Sequence, residues 1–239
     1  MCAQLLPILF ALAFQTTAGC DSPKTIRYVK PVAGQYRLET EFRIDERDGC
    51  CRIKSVTHRG STRLTLCSES VKGRLRCATV SIRTGAQEQT VTARVNGGQA
   101  TVQRHDGTVN TFDCPAGVIV TSAPDWTDCV LLMRRFDATT GRPQQFPGLW
   151  IHPTRKPLRV TFKVIPTGTD VVARNGMRHI LRRFRIVLRN GSHYVAWRDC
   201  QRRLIRLVPD RGKLPAMVLE GWENTTAGLS AAQDSRISP

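Results

Sequence analysis

From residue 35 onward the chain alternates. Tyr36, Leu38, Thr40, Phe42 and Ile44 are interleaved with Arg37, Glu39, Glu41 and Arg43. Every second side chain shares one face of an extended strand, so this pattern predicts a strand with one packed and one wet face. Asp48-Gly49 predicts the turn that ends it. Three more strands follow as a meander over 51–56, 62–68 and 74–83, separated by His58-Arg59-Gly60 and Val71-Lys72-Gly73. A second meander over 89–95, 99–104 and 108–113 turns at Asn96-Gly97 and Asp106-Gly107. Both dipeptides reach positive φ easily, which is what a two-residue hairpin needs.

The period changes once. Trp126, Cys129, Val130, Met133 and Phe136 recur at i, i+3, i+4 and i+7, which predicts an amphipathic helix over 123–137. Ser122 followed by Asp125 resembles a capping box with Asp in the usual Glu or Gln position. Pro124 is tolerated in a first turn, and Gly141 lies just past the last periodic residue. The apolar face of a lone helix must be buried, and the rest of the chain offers β-sheet to bury it.

After the helix, 141–157 is rich in Pro and Gly and carries Phe146, Leu149, Trp150 and His152. It reads as a loop whose apolar anchors close one edge of the core. In a sharper reading Trp126, Met133, Phe146 and Trp150 line a groove. Strands resume over 158–165, over a short piece between Gly168-Thr169-Asp170 and Asn175-Gly176, and over 178–189 and 193–198 around Asn190-Gly191. Residues 204–208 and 217–219 complete the sheet. The fold predicted is mainly β: a curved antiparallel sheet, barrel-like but unclosed, with one packed α-helix. It forms a single domain over 34–223. Residues 21–33 read as a polar tether, and the small, polar tail over 224–239 is expected to be disordered.

Charge adds a class of partner. The 239 residues carry a formal net charge of +17, most of it from Arg, and a charge of that size draws a protein to polyanions. Arg183, Arg185, Arg189, Arg203 and Arg206 are candidates for an anionic-ligand face, because a guanidinium grips phosphate or carboxylate in a planar fork. Anionic lipid and acidic wall polymer fit such a face. Nucleic acid ranks last, since only Phe184, Tyr194 and Trp197 lie near enough for base stacking.

The start of the chain points to export. Residues 5–14 form an apolar run too short to span a bilayer. Thr17-Ala18-Gly19-Cys20 follows, which resembles a bacterial lipoprotein cleavage box with Cys20 as the lipidated residue. Thr17 stands where that pattern prefers Leu, and no Lys or Arg precedes the run, so ordinary cleavage near Ala18 or Gly19 is the alternative. Nine cysteines suit an oxidising compartment. Beyond Cys2 and Cys20 their number is odd, so at least one is free or pairs with another chain. A simple hairpin after Val71 would set Cys67 opposite Cys77 and make them a candidate disulfide.

No cofactor or metal motif is present: the chain lacks C-x-x-C, H-E-x-x-H and G-x-G-x-x-G patterns. It also lacks a G-x-S-x-G elbow, and no catalytic residue is assigned. Cys200 with His193 is the one thiol–imidazole pairing that could be imagined, and it motivates only a distant hydrolase alternative.

Several features together resemble a known arrangement: an exported start ending at Cys20, successive hairpins, Asp125-Trp126 opening one helix, and Val195-Ala196-Trp197-Arg198-Asp199 followed by Arg203-Leu204. The chain from 34 to 223 resembles a family of uncharacterised bacterial exported β-rich proteins, themselves similar to the unclosed β-barrel of the lipoprotein-carrier (Lol-type) proteins. The resemblance implies a half-barrel whose concave side holds an apolar or amphipathic ligand, with the helix as its plug and no catalytic residues. The sequence therefore reads as an exported cell-envelope β-domain, periplasmic or membrane-anchored. It would bind lipid, lipoprotein or wall polymer without catalysis. The alternative is an envelope assembly protein that binds another protein. Mass measurement of the mature chain from cell fractions tests the first step. It should begin at Cys20 with an acyl modification, or near Ala18 without one, and an intact Met1 on a cytosolic chain would contradict export.

Overall fold

The computed structural model describes residues 24–122, 126–188, 193–209 and 216–225. The first half of the chain forms β1 (Lys24–Val32), β2 (Gln35–Arg47), β3 (Cys50–Arg59), β4 (Thr62–Val71), β5 (Arg74–Thr84), β6 (Gln87–Asn96), β7 (Gln99–Gln103) and β8 (Val109–Asp113). Then come β9 (Ile119–Thr121), the helix α1 (Thr127–Arg135), β10 (Gln144–His152), β11 (Arg155–Arg174), β12 (Met177–Val187), β13 (His193–Arg198), β14 (Leu204–Pro209) and β15 (Met217–Leu219). All fifteen strands belong to one sheet, in the order β8-β7-β6-β5-β4-β3-β2-β1-β15-β14-β13-β12-β11-β10-β9. Every pairing is antiparallel except β9 with β10. The fold is mainly β, a curved open sheet with a single short helix among the described residues.

Connectivity forces the curvature. The two edge strands, β8 and β9, are chain neighbours separated only by residues 114–118. Laid flat at about 4.8 Å per strand, the sheet would hold them roughly 65–70 Å apart. The six Cα steps between Asp113 and Ile119 reach only about 20 Å. The sheet must therefore curl until its ends face each other. Side chains rather than a strand ladder span the seam: Arg159 meets Asp113 at 3.2 Å, and Arg104 donates to the Thr154 carbonyl at 3.4 Å.

Two apolar cores fill the curl. One lies between β4–β7 and β9–β10 and includes Leu64, Leu66, Val80, Val102, Leu149 and Ile151. The other surrounds α1 and includes Tyr28, Phe42, Phe162, Phe184, Ile186 and Leu207. Trp126, Cys129, Val130, Met133 and Phe136 are all buried there, and so are Leu131 and Leu132. The helix is thus enclosed on nearly every side. It spans Thr127–Arg135, shorter than the 123–137 expected; Trp126 is the N-cap, and no side chain caps it. Pro124 and Asp125 lie outside the described residues.

The helix ends are satisfied by other means. Asp128 turns back so that Oδ1 accepts the Cys129 N–H at 2.7 Å and Oδ2 accepts the Thr121 hydroxyl at 3.0 Å. At the other end the buried Arg198 donates to the Met133 carbonyl at 2.8 Å and the Phe136 carbonyl at 3.0 Å. A cation at a helix C-terminus meets both the orphan carbonyls and the negative end of the helix dipole. Burial lowers the pKa of Arg198.

Three expectations are corrected. Residues 24–32 are no tether: β1 pairs with β2 on one side and β15 on the other, and Tyr28 is fully buried with its hydroxyl on the Leu204 carbonyl at 3.0 Å. Lys24, Arg27 and Lys30 made a strand look polar. Residues 144–152 are not loop but β10; Pro147 is accommodated because β9 reaches only Gly148, Leu149 and Trp150, leaving the rest of β10 without that neighbour. The two strands expected on either side of Gly168 are one strand, β11, carried through a bulge between Pro166 and Gly168.

Bulges also redirect side chains. The one between Tyr28 and Val29 sets two β2 residues, Glu39 and Thr40, beside one of β1. Thr40, Phe42 and Ile44 then face inward, whereas Tyr36 and Leu38 emerge on the opposite face and are exposed. On β5 a bulge beside Glu69 sets Cys77 opposite Glu69, and Cys67 opposite Thr79. The expected pairing of Cys67 with Cys77 is corrected accordingly: both are exposed free thiols, diagonal neighbours on the wet face. The export run over 1–20, Cys20 and the tail beyond Thr225 lie outside the described residues.

Gly148 allows β10 to approach β11. A Cβ there would overlap the Phe162 ring and the Val160 side chain. Gly148→Ala is expected to destabilise the fold by about 1–3 kcal/mol, the usual range for an added methyl in a filled core, read as a lower urea midpoint at unchanged slope.

Candidate functional site

Two polar concentrations lie beside the helix, at opposite ends of the curl. The first surrounds the helix N-terminus. The Thr127 hydroxyl donates to Ser55 Oγ at 2.7 Å, and Thr40 and Thr57 share a hydrogen bond of 3.0 Å across β2 and β3. The bulged Glu39 is buried between Lys30 and Arg59, whose Nε lies 3.3 Å from Glu39 Oε1. The Arg59 guanidinium also sits 5.3 Å over the Trp126 ring, which meets Tyr194 edge to face. Burial, with the neighbouring Cys129 and Asp128, pushes the Tyr194 phenol up to about 12. Two partly exposed cations thus hold one buried carboxylate, and the buried hydroxyls pair with one another in a network that ties helix to sheet.

The second concentration is an open cleft of about 750 Å³ at the far end. Four parts of the fold build it: the start of β1, the turn between β13 and β14, the chain after β15, and the exposed side of α1 with the end of β11. Its cations are Lys24, Arg27, Arg134, Arg174, Arg202 and Arg203; Glu220 is its one carboxylate. Ile26, Tyr28, Val130, Leu204, Leu219 and Trp222 supply apolar floor and wall.

Internal partners hold most of these cations in place. Arg27 pairs with Glu41 at 2.9 Å, Arg134 with Glu46 at 2.8 Å, and Arg174 donates to the Gly221 carbonyl at 3.0 Å while lying 4.5 Å over Trp222. The turn is stiffened by Asp199, which accepts both the Arg203 backbone N–H and its guanidinium. Arg202 occupies the positive-φ corner of that turn at φ 62°, and among the described residues no carboxylate pairs with it. The cleft therefore combines fixed, partly neutralised guanidinium groups with one arginine free to meet an incoming anion. Its shape and lining suit a ligand with an anionic head and an apolar body.

The residues expected to form an anionic face are not brought together. Arg203 lines the cleft, but its guanidinium is held by Asp199. Arg183, Arg185 and Arg206 lie on the other face of the sheet. There Trp197 stands between Arg183 and Arg206 in register and donates its indole N–H to Asp170 at 2.7 Å. Arg183 is 3.6 Å from Asp170, and Arg206 lies 5.8 Å over the Trp197 ring. Arg189 lies outside the described residues. Nor is there a groove built from Trp126, Met133, Phe146 and Trp150. The first two are core residues and Phe146 packs against the same core, while Trp150 stacks on His152 with ring centroids 5.7 Å apart. His193 and Cys200 flank opposite ends of β13, roughly 20 Å apart at about 3.3 Å per residue, so no thiol–imidazole pair forms. Among the described residues no group of His, Cys, Asp and Glu is placed to hold a metal ion.

Sequence reasoning missed Lys24, Arg27, Arg134, Arg174 and Arg202. The signal available was the Asp199–Arg203 turn motif following a tryptophan strand, which marks where the chain presents Arg202.

No protein-family model matches the chain, and neither does any curated protein. Among solved structures it is similar to a DUF1089 family protein from Pseudomonas aeruginosa, at 15% identity over 73% of this chain and 92% of the other, with a TM-score of 0.43. It is also similar to the β-barrel-like protein of domain of unknown function DUF1849 from Brucella abortus, at 10% identity over 82% of this chain and 92% of the other, with a TM-score of 0.48. Both likenesses are distant, and neither assigns this chain a function.

Asp128 offers a test of how tightly the plug is enclosed. Burial raises its carboxyl above the ordinary range, against the hydrogen bonds from Cys129 and Thr121 that lower it. The folded chain therefore holds this proton more tightly than the unfolded chain. Its favourable contribution is complete below about pH 4 and is lost as the pH rises through the raised folded value. Asp128→Asn mimics the protonated form, so its stability relative to wild type should improve from acid to neutral pH. Urea unfolding at several pH values checks this, and a variant that loses stability relative to wild type as the pH rises would contradict it.

Proposed function

We propose that this chain is a non-catalytic binding domain of the bacterial cell envelope that takes an anionic amphipathic ligand in the cleft between β1, the β13–β14 turn and α1. The observation that carries the reading is the lining of that cleft: Arg202 at the corner of its turn, beside guanidinium groups oriented by Glu41, Glu46 and Asp199, over an apolar floor. A phosphate or carboxylate head would meet Arg202 and Lys24, and an apolar body would lie along Ile26, Leu204 and Trp222. The net charge of +17 supports attraction of such a ligand over distance. The apolar run at the start of the chain and its many cysteines support export, and Cys20 is the proposed point of lipid attachment if processing follows the lipoprotein route. The closed polar network at the helix N-terminus supports a scaffold rather than a reaction centre. The partner class is thus lipid, acylated protein or wall polymer, bound without cofactor.

Calorimetric titration with dihexanoyl phosphatidylglycerol, beside dihexanoyl phosphatidylcholine, tests the proposal. The anionic lipid should bind and the zwitterionic one should not. Lys24→Gln with Arg202→Gln should weaken binding about tenfold, equivalent to about 1.4 kcal/mol, without changing the melting temperature. No binding by the wild type, or equal binding by the double variant, would overturn the reading.

A further inference from the structure

The β11–β12 hairpin carries an apolar patch that the cleft does not explain. Val171 is 53% exposed, Met177 62% and Ile180 65%. Val171 and Ile180 stand directly opposite each other, while alternation sets Met177 on the other face with His179 and Leu181. The tip is therefore apolar on both faces. Asn175 and Gly176 turn it with φ of 50° and 75°, the tight hairpin geometry that projects two strands together.

Arginines surround this tip. Arg174 and Arg178 lie beside the turn and Arg182 lies further back along β12; Arg174 donates to the Gly221 carbonyl at 3.0 Å and Arg182 to the Ala138 carbonyl at 3.4 Å. The one carboxylate on the hairpin strands, Asp170, is engaged by Trp197 and Arg183, and Glu220 and Glu223 lie beside the Trp222 that packs on His179. The hairpin is firmly seated on its other face: Val172 and Leu181 are buried, and Trp222 packs edge to face on His179 beside Arg174. A firmly seated, basic hairpin thus exposes Val171 and Ile180 on one face and Met177 beside its turn.

From this geometry we infer that the β11–β12 hairpin docks the chain on an anionic bilayer, with Val171, Met177 and Ile180 entering the interface and Arg174, Arg178 and Arg182 meeting the lipid phosphates. The charge is complementary to an anionic leaflet, where basic residues near the surface strengthen attachment. Nucleic acid lacks a counterpart for the aliphatic tip, which presents no aromatic ring for stacking. Arg174 belongs to both the tip and the cleft, so the docked hairpin sets the cleft mouth at the membrane surface. The docking does not depend on the cleft being occupied.

Co-sedimentation of the full chain with vesicles of equal parts phosphatidylglycerol and phosphatidylcholine, beside vesicles of phosphatidylcholine alone, tests the inference. The wild type should pellet with the anionic vesicles and much less with the zwitterionic ones, and added salt should release it. Val171→Ser with Ile180→Ser, and separately Arg178→Gln with Arg182→Gln, should each weaken binding about tenfold relative to the same full chain. Any contribution from the N-terminal apolar run is common to all variants. The serine pair should melt as wild type does, since both positions are exposed. Equal pelleting of the serine pair and wild type would overturn the proposal, as would equal affinity for both vesicle types. Sedimentation velocity showing a dimer that the serine pair abolishes would instead assign the patch to a second copy. The two readings fail separately: a failed hairpin leaves soluble lipid binding in the cleft intact, and a failed cleft leaves vesicle binding intact.

Discussion

A helix enclosed by a sheet has to settle its own ends, and that requirement organises this molecule. The backbone groups at each terminus of α1 have no partner within the helix, and leaving one buried and unpaired costs about 1–3 kcal/mol. At the C-terminal end Arg198 reaches from β13 to two carbonyls while its guanidinium lies 5.3 Å over Phe184. At the N-terminal end Asp128, Thr121, Thr127 and Ser55 bind helix, β9 and β3 into one buried network. These are contacts between elements far apart in the sheet order. The plug therefore fixes the curl as much as the curl shelters the plug.

The closed N-terminal network and the open cleft are two consequences of the same arrangement. Helix and sheet lie close beside the Glu39 bulge of β2, where the small hydroxyl side chains Thr40, Ser55, Thr57 and Thr127 permit that approach. At the other end the sheet is lined by long cations and by the turn after β13, so the space remains open. Ion pairs such as Arg27–Glu41 and Arg134–Glu46 are solvent-exposed and contribute little to stability. Their effect is to orient cations at the mouth.

Much of the sheet was legible in the chain because turns are local. Asn96-Gly97, Asn175-Gly176 and the alternation in β2 each follow from a few adjacent residues. Bulges are different. The extra residue at Glu39 reverses the faces of Tyr36 and Leu38, and the one beside Cys77 moves it out of register with Cys67; neither leaves a clear mark in the alternation. β10 was hidden because Pro147 and Gly148 argue against a strand unless the neighbours are known, and those neighbours are a three-residue parallel partner and the Phe162 ring. β1 was hidden by its charges, although Ile26 and Tyr28 already carried the period.

The site was less legible, for a related reason. A run such as Arg182-Arg183-Phe184-Arg185 suggests one charged surface, but a strand sends neighbours to opposite faces, and Trp197 and Asp170 then engage those on the outer side. The cleft gathers its cations from residues as distant as Lys24 and Arg203, which only the pairing of β1 with β15 and of β15 with β14 brings together. That pairing also places the β11–β12 tip at the same end of the curl, through Arg174 and Trp222. A charged mouth and an apolar tip that share a residue make a single amphipathic rim. On such a rim, electrostatic attraction governs approach and is screened by salt, whereas the aliphatic contacts resist release and are not. The proposed preference for an anionic amphiphile rests on requiring both at once.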